Sequence, residues 1–207
     1  MYRWVFYPLA KGLLAVLLFL LGPVKVVGRE RVPQAGGVLI VANHISDADP
    51  PVMGHSVPRT AHFMAKSELF SIPILGAIIR ALQAFPVNRG APDRAALRRT
   101  IQLLQQGEAV VMFPEGEISE TGEIQPLLPG AALIVRSSGV PVMCAGLVGT
   151  TKIVPFKAVV PRPALGGVYV RFGEPRRFAK ETPQEEILGW IETEFHALTL
   201  TPDPAKR

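Results

Sequence analysis

The sequence predicts an α/β fold, with a mostly parallel central sheet flanked by helices and an amino-terminal hydrophobic helix that associates with a membrane. The chain of 207 residues is long enough to bury one sizeable core. Its short apolar runs alternate in chain order with amphipathic stretches, which is the pattern of strand–helix–strand units. Hydrophobic residues make up 48% of the chain and charged residues 19%, and this balance excludes a disordered protein.

The first 32 residues are expected to form the membrane-associating segment. Between Trp4 and Val24 the only charged residue is Lys11, and residues 12–24 form an unbroken apolar run of thirteen. A helix needs about 20 apolar residues to span a bilayer. Three interpretations therefore stay open for this segment: a single span, a helix lying in one leaflet, or a buried core helix.

The remaining elements follow from where each apolar run starts and stops. Strands are predicted at residues 37–42, 62–65, 85–88, 109–113, 140–147 and 168–172. Pro86 places the third of these at an edge of the sheet, because proline has no N–H to donate to a second neighbour. Helices are predicted at 92–106 and 129–138, and a last one follows the capping-box sequence at 182–185. The folded domain then covers residues 33–200, and residues 201–207 form a flexible tail.

The charge balance predicts an anionic partner. Lysine and arginine number 22 against 17 aspartates and glutamates, a net charge of +5, which suits nucleic acid, an anionic membrane leaflet or a phosphorylated substrate. No aromatic residue is interleaved with Arg94, Arg98 and Arg99, so membrane or solvent is favoured there and no nucleic acid is expected. Cys144 is the single cysteine, which excludes an intrachain disulfide and favours the cytoplasmic side of a cell membrane.

A candidate general base follows the first predicted strand of the domain. His44 leaves this strand with Asp47 and Asp49 close behind it, and a carboxylate beside an imidazole can orient it for proton transfer. In a helix Asp47 would face His44. However, Asp49 precedes Pro50, which disfavours helical dihedrals, so a turn can bring Asp49 beneath the imidazole. The alternative is that Asp49 only caps the next helix.

Other polar residues follow neighbouring strands. Lys66 follows the second predicted strand and Arg89 the third, where they offer two cations to a phosphate or remain surface charges. Glu115 and Gly116 follow the strand at 109–113, where they either bind a polar ligand or close a turn. Because the carboxyl ends of parallel strands open on one crevice, all four are candidate site residues.

A metal site is not predicted. The histidines and aspartates nearest to one another in the sequence match neither a metalloprotease helix nor a zinc finger in their spacing. These residues are His44, Asp47, Asp49, His55 and His62.

Four ordered blocks resemble the signatures of the glycerolipid (lysophospholipid) acyltransferase family. Asparagine–histidine, four further residues and aspartate stand at 43–49, and phenylalanine–proline leading to arginine stands at 85–89. Phenylalanine–proline–glutamate–glycine stands at 113–116, and a proline within an apolar strand at 140–142. The lysine-containing segment 65–70 is similar as well, and so is the hydrophobic amino terminus.

The resemblance implies an enzyme, a membrane-associated O-acyltransferase of phospholipid biosynthesis. It would move a fatty acyl chain from acyl-CoA or acyl carrier protein to the free hydroxyl of lysophosphatidic acid and give phosphatidic acid, with no cofactor and no metal ion. His44 would be the catalytic base and Asp49 would orient it. Residues 33–200 would form the acyltransferase domain.

The resemblance also implies the binding residues. Lys66 and Arg89 would hold the acceptor phosphate, and Glu115 with Gly116 would shape the acceptor pocket.

One departure from the family pattern concerns the acceptor. The family has threonine–arginine–serine after the third block, and residues 117–119 read Glu-Ile-Ser here. An arginine expected to help hold phosphate is thus replaced, and a carboxylate stands beside it. A different lysolipid, such as an amino-acid-linked one, is the alternative acceptor. A metal-assisted hydrolase and a non-catalytic lipid-binding protein are more distant alternatives.

Overall fold

The computed structural model describes residues 2–88, 93–158, 160–164 and 166–200. Within them seven strands form one sheet: β1 (Val24–Val27), β2 (Val38–Ala42), β3 (Ala61–Lys66), β4 (Ala84–Val87), β5 (Ala109–Met112), β6 (Val142–Val148) and β7 (Val168–Phe172). The helices are α1 (Tyr2–Leu21), α2 (Asp49–Ser56), α3 (Pro73–Ala81), α4 (Arg94–Gln105), α5 (Gly130–Ser138) and α6 (Gln184–Leu200). The predicted tail at 201–207 lies outside the described residues.

The strand order across the sheet is β1-β7-β6-β2-β5-β3-β4. Every neighbouring pair is parallel except β6 and β7, so β1 and β7 run opposite to the other five strands. The predicted α/β fold with a mostly parallel sheet is therefore confirmed. The strand containing Pro86 lies at an edge, as its missing N–H requires.

The core lies in two layers, one on each face of the sheet. In β2, Ile40 points towards the layer that contains α1 and α2, and Val41 points towards the layer that contains α4, α5 and α6. All five residues of β2 are buried, which explains the continuous apolar run in its sequence. The last helix, which follows the capping-box sequence as predicted, packs on this sheet through Ile187, Ile191 and Phe195, which are fully buried.

Three elements differ from the sequence prediction. The helix predicted at 92–106 begins at Arg94, because the Asp93 carboxylate accepts the N–H groups of Ala95 and Ala96 at 3.0 and 2.9 Å and so caps it. β1 was not predicted because it is a four-residue strand containing a lysine. α3 was not predicted as a helix, and it is almost wholly exposed.

The amino-terminal segment is a surface helix with one face in the core. Leu14 and Leu18 of α1 are buried in the layer that contains α2, and Lys11 Nζ donates to the Val57 carbonyl at 2.6 Å. The opposite face leaves Leu13 and Phe19 exposed. No helix among the described residues has the length and hydropathy needed to cross a membrane.

Candidate active site

The candidate site residues converge at one edge of the sheet. His44 leaves the carboxyl end of β2, Lys66 ends β3, and Glu115 follows β5. These three strands are parallel neighbours in the order β2-β5-β3, so their carboxyl ends open on one crevice.

The chain turns after His44 and brings Asp49 back to the imidazole. His44 Nδ1 lies 2.9 Å from Asp49 Oδ2, and both side chains are buried. The same oxygen accepts the N–H groups of Ile45 at 2.7 Å and Ser46 at 2.8 Å. Asp47 is exposed and does not face the imidazole. The structure therefore pairs His44 with Asp49 by a turn, in which the Asp49 N–H donates to the Ser46 carbonyl at 3.0 Å. The reason predicted for this turn is wrong, because Asp49 is the first residue of α2 although Pro50 follows it.

This pairing fixes the proton on the imidazole. An ionised carboxylate oxygen can only accept hydrogen bonds, so the contact with Asp49 Oδ2 requires the proton of a neutral imidazole to lie on Nδ1. Nε2 is left with a lone pair, which is the state of a general base. The ring stacks on Phe113, with centroids 4.2 Å apart and planes inclined by 22°.

The loop after β5 holds the main chain of His44 on both sides. The His44 N–H donates to Glu115 Oε1 at 2.8 Å, and the Ser119 N–H donates to the His44 carbonyl at 2.8 Å. Glu115 Oε2 accepts the Gln125 N–H at 2.8 Å. Burial raises the pKa of Glu115, and these two main-chain hydrogen bonds oppose the rise. Glu115 thus joins the third sequence block to the first.

Gly116 has the backbone conformation that the turn after Glu115 requires. Its φ of +79° lies in the left-handed region. A Cβ at this position would lie 2.6 Å from Cδ1 of Leu128. Leu128 is itself held by its N–H, which donates to the Pro114 carbonyl at 2.8 Å. The backbone conformation of the turn therefore disfavours a side chain at Gly116, and a Cβ there would also require the Leu128 side chain to shift.

Two further residues anchor the His44 loop, and sequence reasoning gave neither of them a role. Asn43 pairs with the main chain of Leu147, accepting its N–H at 2.7 Å and donating to its carbonyl at 3.1 Å. Ser46 Oγ donates to the Val154 carbonyl at 2.6 Å. Their partners lie more than 100 residues away along the chain, so the sequence could not show what these two side chains contact, although Asn43 belongs to the first family block.

Of the two cationic candidates, Lys66 is described by the structure and stands further out than His44. Lys66 is half exposed, and its Nζ lies 3.7 Å from Glu68. Arg89 lies outside the described residues. A cavity of about 380 Å³ adjoins the end of β4, where Asn88 and Arg99 contribute to its lining. Glu117, the residue that departs from the family pattern, is exposed.

Acidic, histidine and cysteine side chains do not cluster as a metal site in the part of the chain that the structure describes. No group of three or more of them is placed to hold a metal ion there. His55 and His62 were considered as possible ligands from the sequence. His55 lies near the end of α2, and His62 lies near the start of β3, away from the carboxyl end that faces His44.

Three known proteins are similar to this chain. The 1-acyl-sn-glycerol-3-phosphate acyltransferase of Bacillus subtilis (strain 168) is 35% identical over 144 residues, covering 69% of this chain and 71% of the relative. The protein of that name from Streptococcus pneumoniae is 29% identical over 203 residues, covering 94% and 73%. The crystal structure of the 1-acyl-sn-glycerophosphate (LPA) acyltransferase PlsC from Thermotoga maritima shares the fold, with a TM-score of 0.76 and 24% identity over 96% of this chain and 82% of that one.

The sequence profile described as "Acyltransferase" matches residues 23–148, which is more than half of the chain. The matched part contains β2, β3 and β5, whose carboxyl ends form the crevice, and the loops that carry His44, Asp49 and Glu115. The residues that build the site thus lie within the matched part, and the chain belongs to the acyltransferase family.

Proposed function

We propose that the chain is a membrane-associated O-acyltransferase that moves a fatty acyl chain from an acyl thioester to the free hydroxyl of lysophosphatidic acid, giving phosphatidic acid. The observation that carries this proposal is the buried His44–Asp49 pair, with a 2.9 Å contact that leaves Nε2 free of the carboxylate. The names of the similar proteins from Bacillus subtilis and Streptococcus pneumoniae support this acceptor.

His44 acts as the base in the proposed reaction. Nε2 takes the proton of the acceptor hydroxyl as its oxygen attacks the thioester carbonyl. When the tetrahedral intermediate collapses, the C–S bond breaks and the leaving thiolate takes the proton back from the imidazolium. The Asp49 carboxylate stabilises that imidazolium through Nδ1, as the 2.9 Å contact allows. No acyl-enzyme forms, and neither a metal nor a cofactor takes part.

Lys66 and Arg89 hold the acceptor phosphate in this proposal. Lys66 pairs in register with Val87 of the neighbouring strand, and Arg89 follows Val87 by two residues in the sequence. Two cations suit the two charges of a phosphate monoester. Glu115 and Gly116 shape the acceptor pocket by fixing the turn beside His44.

Membrane association is the remaining part of the proposal. The outer face of α1 exposes Leu13 at 70% and Phe19 at 77%, and this face suits the acyl region of one leaflet. The enzyme would act at the cytoplasmic side of the cell membrane, with acyl-CoA or acyl carrier protein as the acyl donor. Its partners are then membrane lipids and that donor.

A second acceptor class is favoured by one observation. Glu117 is exposed, and the residue after it, Ile118, stands where the family pattern has arginine. No hydrogen bond or ion pair links the Glu117 carboxylate to the described residues. A carboxylate beside the crevice suits an acceptor with a cationic group, such as an amino-acid-linked lysolipid.

The test is release of free thiol from an acyl-CoA in mixed micelles with a panel of lysolipids. The wild-type chain is compared with His44→Ala, and Cys144 is the sole protein thiol to subtract. Release that requires lysophosphatidate and is lost with His44→Ala supports the proposal. Release with another lysolipid keeps the chemistry and replaces the acceptor. No release with any acceptor, from acyl-CoA or acyl carrier protein, contradicts the proposal.

Arg89→Ala tests the phosphate contact separately. We expect a raised KM for lysophosphatidate with a smaller change in kcat, because the contact is made in both the ground and transition states. An unchanged KM removes Arg89 from this role.

A further inference from the structure

We infer that the segment Ile72–Ile78, which contains most of α3, is a second membrane-docking element that lies on an anionic bilayer beside α1. The inference rests on the proposed function, because it supposes that both lipid substrates reach the site from a bilayer. We call this stretch the α3 docking segment.

The α3 docking segment is apolar and exposed. Ile74 is 78% exposed, and Ile72, Leu75 and Ile78 are exposed by between a third and a half. Gly76 is the single buried residue of α3. A helix of a soluble domain turns its apolar residues to the core, whereas α3 and its N-cap Ile72 together turn four large apolar side chains outward.

This surface continues onto α1. The two helices pack against each other, and α1 exposes a row of large apolar side chains along its outer face. These are Leu9, Leu13, Val16, Leu17, Phe19 and Leu20. A contiguous exposed patch of this kind marks a protein or membrane contact.

Charge indicates that the occupant is a lipid bilayer. Among the described side chains, the two helices carry Lys11 and Arg80 and no aspartate or glutamate. The Arg80 guanidinium lies 5.3 Å from the centroid of the Phe70 ring and donates to the Phe70 carbonyl, so the cation stays at the border of the apolar surface. If a second copy of the chain docked here by the same surface, the cations of one copy would lie against the same cations of the other. Anionic lipid headgroups would neutralise them.

The α3 docking segment lies close to the crevice, so docking would affect how a lysolipid reaches the site. It follows Lys66, the last residue of β3, after one 3₁₀ turn at Ser67–Ser71. Its first residues therefore leave the same sheet edge that carries His44. A bilayer in contact with Ile72 and Ile74 would lie at the mouth of the crevice, where a lysolipid could enter without crossing water.

The first test measures binding to vesicles of phosphatidylglycerol and phosphatidylcholine by flotation. Ile74→Ser/Ile78→Ser is compared with a control, Leu133→Ser, on α5 at the opposite face of the sheet, where Leu133 is 47% exposed. We expect the double variant to bind at least tenfold more weakly and the control to bind within twofold of the wild type. Equal binding by all three chains would overturn the inference.

The second test looks for an added fluorescence signal, whereas the first looks for a loss of vesicle binding. Ile74→Trp is expected to show stronger fluorescence quenching by brominated phosphatidylglycerol than the wild type, which already contains two tryptophans. Leu133→Trp is expected to add unquenched fluorescence. If Ile74→Trp adds only unquenched fluorescence, or if Ile74→Ser/Ile78→Ser instead dissociates a dimer seen by sedimentation, the bilayer is not the occupant.

The proposed function and the docking inference can be contradicted independently of each other. If thiol release is absent from the wild type while the vesicle tests give the expected differences, the proposed function fails and the docking surface stands. If thiol release from micelles requires His44 while the α3 variants bind vesicles like the wild type, the docking inference fails alone.

Discussion

Oδ2 of Asp49 lies 2.9 Å from Nδ1 of His44 and accepts two main-chain N–H groups from the turn between them. One oxygen atom thus sets both the path of the loop and the orientation of the imidazole. The buried carboxylate cannot rotate away without leaving the N–H groups of Ile45 and Ser46 without their acceptor. The position of the base is consequently fixed by the fold before any substrate binds.

Asp49→Asn is expected to lower kcat by about 10²–10⁴-fold with a smaller effect on KM, because an amide stabilises neither the Nδ1–H tautomer nor the imidazolium. Asp47→Asn is the matched control, since Asp47 is exposed two residues earlier, and its activity should stay within twofold. Steady-state thiol release measures both variants. Equal activities of the two variants would remove Asp49 from the mechanism.

Glu115→Gln is expected to lower kcat more than it raises KM. The amide presents one oxygen in place of two, so the N–H of His44 or Gln125 loses its acceptor, at a cost of about 1–3 kcal/mol in stability. The control is Glu117→Gln, which changes an exposed carboxylate and should leave the urea midpoint unchanged. A raised KM with normal kcat and stability in Glu115→Gln would instead indicate direct contact with the acceptor.

Gly116→Ala and Gly122→Ala separate backbone strain from crowding. Both glycines have φ near +80°, so each alanine is expected to cost about 1–2 kcal/mol in unfolding free energy. A Cβ on Gly122 meets no atom within 4 Å, whereas one on Gly116 meets Leu128. Activity is therefore expected to fall in Gly116→Ala alone. Parallel losses of activity in the two variants would contradict a specific role for the turn at Gly116.

Asp93→Ala is expected to destabilise the protein by about 1 kcal/mol at neutral pH, because it removes the cap of α4. The N–H groups of Ala96 and then Asn88 hold the pKa of Asp93 below its ordinary value. A carboxyl with a lowered folded-state pKa stabilises the fold above its unfolded pKa, and this contribution is lost as the pH falls through the folded value.

Urea unfolding at several pH values measures this difference. The gap between the wild type and Asp93→Ala should narrow below about pH 4, where an ordinary aspartate becomes protonated. Asp93→Asn, which keeps a capping oxygen but loses the charge, should lie between the wild type and Asp93→Ala at neutral pH. A gap that is constant with pH would show that the Asp93 charge contributes nothing.

Cys144 is expected to resist thiol reagents in the folded protein. It is fully buried in β6, and burial raises the pKa of its thiol well above the ordinary value. Ellman's reagent should therefore react with one thiol per chain only after unfolding in guanidinium. Fast reaction of the native protein would contradict this burial and would also raise the background of the thiol-release assay.

Local sequence determined six of the seven strands, most helices and the candidate residues. A strand buried on both faces needs a continuous apolar run, and β2 shows such a run within five residues. Proline in β4 placed that strand at the edge, because proline has no N–H to donate to a second neighbour. Pro50 did not determine the turn towards His44, since Asp49, which precedes it, is the first residue of α2. The ordered blocks that resemble the acyltransferase family are likewise contiguous stretches of sequence.

Only the tertiary structure decided which groups meet. The N–H of His44 reaches Glu115 across 71 residues, and Asn43 reaches Leu147 across 104, so neither contact leaves a periodic trace in the sequence. The exposure of α3 also depends on what packs around it, since its apolar residues alone are equally typical of a buried helix. Hydrogen bonds and burial join residues that are distant in the chain, and for that reason the site was completed by the fold.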